Sequence, residues 1–119
     1  MELRLTPEQS LLRDSAAKFV AAAGAKVARG FRDRIPPFDP ARLRAAGELG
    51  WLGILAPASA GGLGLTLTEL ALLLEQAGLG LMCEPVGLAA ISAAALSQAP
   101  HPMLKAVMTG AVLVVPALQ

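Results

Sequence analysis

From residue 48 the chain runs Glu48-Leu49-Gly50-Trp51-Leu52-Gly53-Ile54-Leu55-Ala56-Pro57 and soon reaches Gly61-Gly62-Leu63-Gly64-Leu65. The stretch is almost wholly apolar, yet no single regular element can hold it. Gly50 and Gly53 flank the only tryptophan, Pro57 terminates whatever precedes it, and Gly61-Gly62 brings a turn. Thr66-Leu67-Thr68-Glu69 then opens a new helix, with Thr66 and Glu69 at capping-box spacing. The segment therefore reads as a helix end, a tight apolar loop and a helix start. Loops normally run over the surface, so one this poor in polar side chains is expected to be covered.

The rest of the composition points the same way. A chain of 119 residues is one domain, long enough to bury roughly two thirds of its unfolded surface. The hydrophobic fraction is 55% before its 12 glycines are counted, against about 45–50% with glycine in ordinary soluble domains. Charge is segregated. Nine Lys/Arg and six Asp/Glu precede Leu49, whereas only Glu69, Glu75, Glu84 and Lys105 follow it. Large apolar patches mark interaction sites, so the second half is expected to be covered by another domain, a subunit or a large ligand. The alternative is an alanine-rich domain whose surface is merely bland. A net charge of +1 gives no field that favours nucleic acid. Pro100 and Pro102 cut short the longest charge-free run, so no membrane span is expected. No basic n-region leads into an apolar h-region, and no secretory signal is expected. A lone Cys83 allows no intrachain disulfide and suits a reducing, cytoplasmic setting.

Helical signals recur along the chain. Thr6-Pro7-Glu8-Gln9 opens a first helix, with Leu12, Ala16, Phe19, Ala23 and Val27 at helical spacing up to Gly30. Ile35-Pro36-Pro37-Phe38 is a connector, and Asp39-Pro40 opens a short second helix with Leu43 and Ala46 inward. A third runs from about Leu67 to Gly78, with Leu70, Leu73, Leu74 and Ala77 as its buried stripe. Glu84-Pro85 begins a fourth, to about Gln98, so apolar that it is expected to be buried all round. Pro100-His101-Pro102 stops the chain before a fifth, about Met103 to Met108. Ala111 to Leu118 is β-branched and apolar and reads as a lone strand. The expected fold is all-α, an orthogonal or up-down bundle of about five helices over 1–110. Residues 111–119 would begin the first strand of a β-domain not contained in this chain.

This order resembles the N-terminal helical domain of the acyl-CoA dehydrogenase family. The residues that carry the resemblance are Leu5-Thr6-Pro7-Glu8-Gln9, Leu12-Arg13-Asp14, Leu49-Gly50-Trp51-Leu52-Gly53, Pro57, Gly61-Gly62-Leu63-Gly64 and Glu69 with Leu73 and Glu75. The resemblance implies FAD as cofactor and an acyl-CoA thioester as substrate, with α,β-dehydrogenation as the reaction. It places the catalytic glutamate beyond Gln119, so no catalytic residue is expected here and the chain alone is expected to be inactive. It assigns Leu81, Glu84, Leu88 and Ile91 to the substrate pocket, and Leu118 and Gln119 to the approach to the flavin. Two departures stand out: Ala58-Ser59-Ala60 replaces a bulkier acidic and aromatic segment, and Ala117-Leu118-Gln119 replaces a Thr-Glu-Pro ending.

Each residue also has a plainer reading. Glu84 next to Pro85 suits a helix N-terminus by charge alone, and Leu81, Leu88 and Ile91 suit a core. Cys83 lacks the sequence partners of a catalytic thiolate. One histidine and one cysteine cannot build a metal site. Lys26, Arg29, Arg32 and Arg34 lack the aromatic groups that stack on nucleic acid and read as a solvated helix end. Gly61-Gly62-Leu63-Gly64 lacks the spacing and the lysine of a phosphate loop. Three functional classes follow: an enzyme domain, a non-catalytic helical module that binds another dehydrogenase subunit, and an unrelated membrane-facing domain. The apolar second half predicts a homo-oligomer in solution; a stable monomer by light scattering would remove the argument for a covered surface.

Overall fold

Side-chain caps set the starts of three helices in the computed structural model, which describes residues 4–21 and 24–117. Among the described residues the protein is all-α, with no strand. The helices are α1 (Pro7–Ala21), α2 (Ala25–Gly30), α3 (Pro40–Glu48), α4 (Leu67–Leu79), α5 (Val86–Leu96) and α6 (Leu104–Met108). Single 3₁₀ turns occupy Trp51–Gly53 and Ala58–Ala60. The chain divides into two compact units, Met1–Phe38 with Ala71–Cys83, and Asp39–Leu70 with Glu84–Gln119.

In the first unit, α1 is closed by a reciprocal capping box. The Gln9 N–H donates to Thr6 Oγ1 at 3.1 Å, and the Thr6 N–H donates to Gln9 Oε1 at 2.9 Å. Ala16, Val20 and Leu73 are buried. Gly80 lies so close to Val20 that a Cβ there would stand 2.6 Å from Val20 Cβ. The single first helix expected to reach Gly30 is two helices. Gly24, with φ 139°, takes a conformation that L side chains rarely adopt and starts α2 afresh, so the described residues form six helices rather than five. Leu74, expected on the buried stripe, is exposed. The basic residues after α2 face solvent, with Arg34 stacked 4.9 Å from the Phe31 ring centroid.

The second unit is built around the apolar loop. Asp39 caps α3 by accepting the Ala41 N–H at 2.9 Å. The Trp51–Gly53 turn packs against α3, α5 and α6. Trp51, Leu52, Ile54 and Ala56 are buried; each of the larger ones contributes about 1.5–3 kcal/mol by leaving water. The loop then satisfies its own backbone. The carbonyls of Gly53, Ile54, Ala56 and Pro57 accept from the N–H groups of Leu63, Leu65, Gly64 and Gly62, at 2.8–3.0 Å. The returning segment of this fold-back passes so close that a Cβ on Gly62 would collide with the Ala56 carbonyl.

One expectation for this unit is corrected. α5 is not buried all round: Val86, Ala89, Ala90, Ser92 and Ala93 are buried, but Leu88 and Ile91 are 43% and 47% exposed. Its inner face is the small-residue face, which lets the Trp51 turn and α6 approach closely. The tail from Ala111 to Ala117 forms no strand, because no neighbouring strand offers it a ladder. Ser92 Oγ instead donates to the Val114 carbonyl at 2.6 Å and ties the tail to α5.

Gly62→Ala is expected to destabilise the chain by about 1–3 kcal/mol, since the methyl meets backbone rather than a side chain that can move. A chemical-denaturation midpoint equal to that of the parent would refute the fold-back as a tight constraint.

Candidate functional site

Glu84 precedes α5 in the second unit and is the one acidic group inside an apolar surrounding. Its residue is 6% exposed. A carboxylate cannot be left bare at such a position, and both oxygens are occupied. Oε1 accepts from Arg42 Nε at 3.0 Å, and Oε2 accepts the Asp39 N–H at 3.1 Å. Asp39 and Arg42 are the cap and first turn of α3, so Glu84 ties the start of α3 to the start of α5. The adjacent Val86 N–H bonds the Glu84 carbonyl at 2.8 Å. This clamp sets where α5 begins, and hence which residues its two faces carry.

The face of α5 away from the core bears Leu88 and Ile91, one helical turn apart, with Ala95 next along the same side, all exposed. Of the four residues assigned to a substrate pocket, this unit thus brings Glu84, Leu88 and Ile91 onto one short segment, the first as an anchor and the other two as an outward apolar face. Leu81 belongs to the first unit. It is half exposed and holds φ 53°, a left-handed conformation that a leucine adopts at a cost of about 1–3 kcal/mol. Cys83 is half-buried, its Sγ 3.8 Å from the Leu81 carbonyl. Leu118 and Gln119, assigned to the flavin approach, lie outside the described residues. Up to Ala117 the tail is apolar, and the side chain that holds it by a hydrogen bond is Ser92. Among the described residues, no group of three or more His, Cys, Asp or Glu is disposed to hold a metal, and no helix is long and apolar enough to cross a membrane.

A cleft of about 470 Å³ lies elsewhere in the second unit, and sequence reading did not assemble it. Its lining comes from the end of α3, the two 3₁₀ turns and α6, and includes Leu63, Leu104 and Met108 with His101 and Lys105. The contributors are spread over some sixty positions, from Gly47 to Thr109, and share no motif. The only sequence signal was that His101 and Lys105 are the sole basic groups in an otherwise uncharged tail.

Comparison with known proteins gives the family and the fold. The model of the family described as "Acyl-CoA dehydrogenase, N-terminal domain" matches residues 6–106. A solved structure of a variant of the Tcur3481-Tcur3483 steroid ACAD superposes with a TM-score of 0.74 at 25% sequence identity. That match covers 87% of this chain and 30% of the other, so the chain spans under a third of the length of that relative. No curated protein matches the chain closely enough to count as a relative.

Arg42→Ala is expected to cost about 3 kcal/mol. That is the low end for stripping one partner from a buried pair, because Arg42 keeps 21% of its side chain in water. A thermal midpoint within a degree or so of the parent would show that Glu84 does not need its guanidinium partner.

Proposed function

This chain belongs to the acyl-CoA dehydrogenase family, whose N-terminal helical domain it carries, and we propose that it forms one wall of the acyl and flavin sites of an FAD-dependent enzyme. The reaction is desaturation of an acyl-CoA thioester between its α and β carbons. The family match over residues 6–106 is the observation that carries this reading. When bound, FAD supplies a two-electron acceptor for the hydride leaving the β carbon. The contribution of this chain is binding and exclusion of water. Leu88 and Ile91 give the acyl group an apolar wall whose burial favours binding at about 25 cal/mol per Å². The Glu84–Arg42 clamp holds that wall at its start. Glu84 is unsuited to removing a proton, since Arg42 and the Asp39 N–H occupy its oxygens. The base is therefore assigned to the rest of the enzyme, and the chain alone is assigned no activity.

The substrate is proposed to be bulky. The Tcur3481-Tcur3483 relative is a steroid ACAD. A second reading, a non-catalytic module that docks on another dehydrogenase subunit, draws on the exposed apolar residues Leu63, Leu65, Leu67 and Val115. Co-purification with a β-domain and C-terminal helical domain, followed by visible absorbance and turnover, separates the two. The enzyme reading expects flavin absorbance and dehydrogenation only in the assembled protein. A stable colourless, inactive assembly favours the module.

In the active assembly, Ile91→Trp is expected to raise KM for a ring-bearing acyl-CoA by about tenfold or more, with the thermal midpoint unchanged. An unaltered KM would remove α5 from the acyl wall.

A further inference from the structure

We propose that the cleft between α3, the two 3₁₀ turns and α6 is a binding site for a small aliphatic carboxylate, separate from the acyl wall on α5. Its volume of about 470 Å³ falls within the usual range for small-molecule sites, about 300–1,000 Å³. A second depression of about 450 Å³ adjoins it and shares Ala60, His101 and Leu104 with it, which makes an elongated trough.

The lining selects the chemistry. Leu63, Leu104 and Met108 offer apolar contact, and glycines keep the space open. A Cβ on Gly53 would stand 3.0 Å from Met108 Sδ, and one on Gly61 would stand 3.5 Å from Met108 Cε. Every ionisable side chain on the lining is basic, His101 and Lys105, and no carboxylate joins them. Of the four acids of this unit, Glu84 is engaged with Arg42, Asp39 caps α3 and Glu69 joins the capping box with Thr66; Glu48, exposed at the end of α3, does not line the cleft. Lys105 is exposed, and its ammonium takes part in no hydrogen bond or ion pair among the described residues. His101 is oriented. Its Nδ1 accepts the Met103 N–H at 3.1 Å, so the neutral ring carries its proton on Nε2 and leaves that N–H free to donate. An apolar trough with one cation and one directed N–H is complementary to an anionic head on an aliphatic chain. Charge-assisted hydrogen bonds from an ammonium to a carboxylate are the strong ones.

The test is an NMR titration of the full chain at low ionic strength with sodium octanoate, 1-octanol, octylamine and inorganic phosphate as separate probes. Saturable octanoate binding is expected, with shifts at Gly61, His101, Lys105 and Met108. Octanol and octylamine should bind about tenfold more weakly or worse, and phosphate should not reproduce the shifts. Lys105→Ala should weaken octanoate by about tenfold without changing the thermal midpoint. Ala60→Phe, which narrows the trough where its two parts join, should weaken octanoate as well. Equal binding of octanol and octanoate, unchanged affinity in Lys105→Ala, or octanoate shifts confined to α5 would each overturn the assignment.

Discussion

A buried loop has to satisfy its own backbone, and the second unit is arranged around the way this one does so. Trp51 to Ala56 sits in the interior, where an unpaired amide or carbonyl costs about 1–3 kcal/mol. The side chains of the loop offer almost no partners. The chain therefore doubles back, and four carbonyls from Gly53 to Pro57 take N–H groups from Gly62 to Leu65. That pairing needs the two runs in near contact, which is why Gly62 has no room for a side chain beside the Ala56 carbonyl. With its polar groups settled, the loop acts as core. α3, α5 and α6 pack on the Trp51 turn much as helices elsewhere pack on one another.

The second constraint is electrostatic. Glu84 is almost free of solvent, and it is tolerated because Arg42 and the Asp39 N–H compensate it. The arrangement does more than neutralise a charge. It joins the first turn of α3 to the residue ahead of α5, forty-two positions away in sequence. The small-residue face of α5 then meets the Trp51 turn, and Leu88 and Ile91 are left outward. The apolar wall proposed for the acyl group and the carboxylate cleft thus belong to one unit: the outward face of α5 carries the first, and the loop and α6 line most of the second.

Local signals in the sequence were read well where the physics is local. Thr6 with Gln9 and Thr66 with Glu69 form the boxes their spacing implies, and Asp39 caps where Asp-Pro announces a helix. Gly24 is the instructive exception. A glycine within a run of alanines looked like part of a long helix, and only its φ of 139° reveals the break. Glu84 could be singled out as an isolated carboxylate, but its partner could not, because nothing in the order of residues points from Glu84 to Arg42. The cleft was illegible for the same reason: residues 47–63 and 101–109 meet only after the loop has folded back.

By itself the sequence determined the helical class, most helix starts and the family, since caps, proline positions and apolar period act over a few residues and the motifs lie in order along the chain. It also determined that the second half would present much apolar surface, because too few charges follow Leu49 to coat it. Tertiary structure alone decided which apolar residues became core and which became surface. Leu52 and Leu88 are the same residue type, yet one is fully buried and the other 43% exposed. That outcome rests on packing and on long-range pairing of polar groups. Both depend on distances in space rather than on positions in sequence.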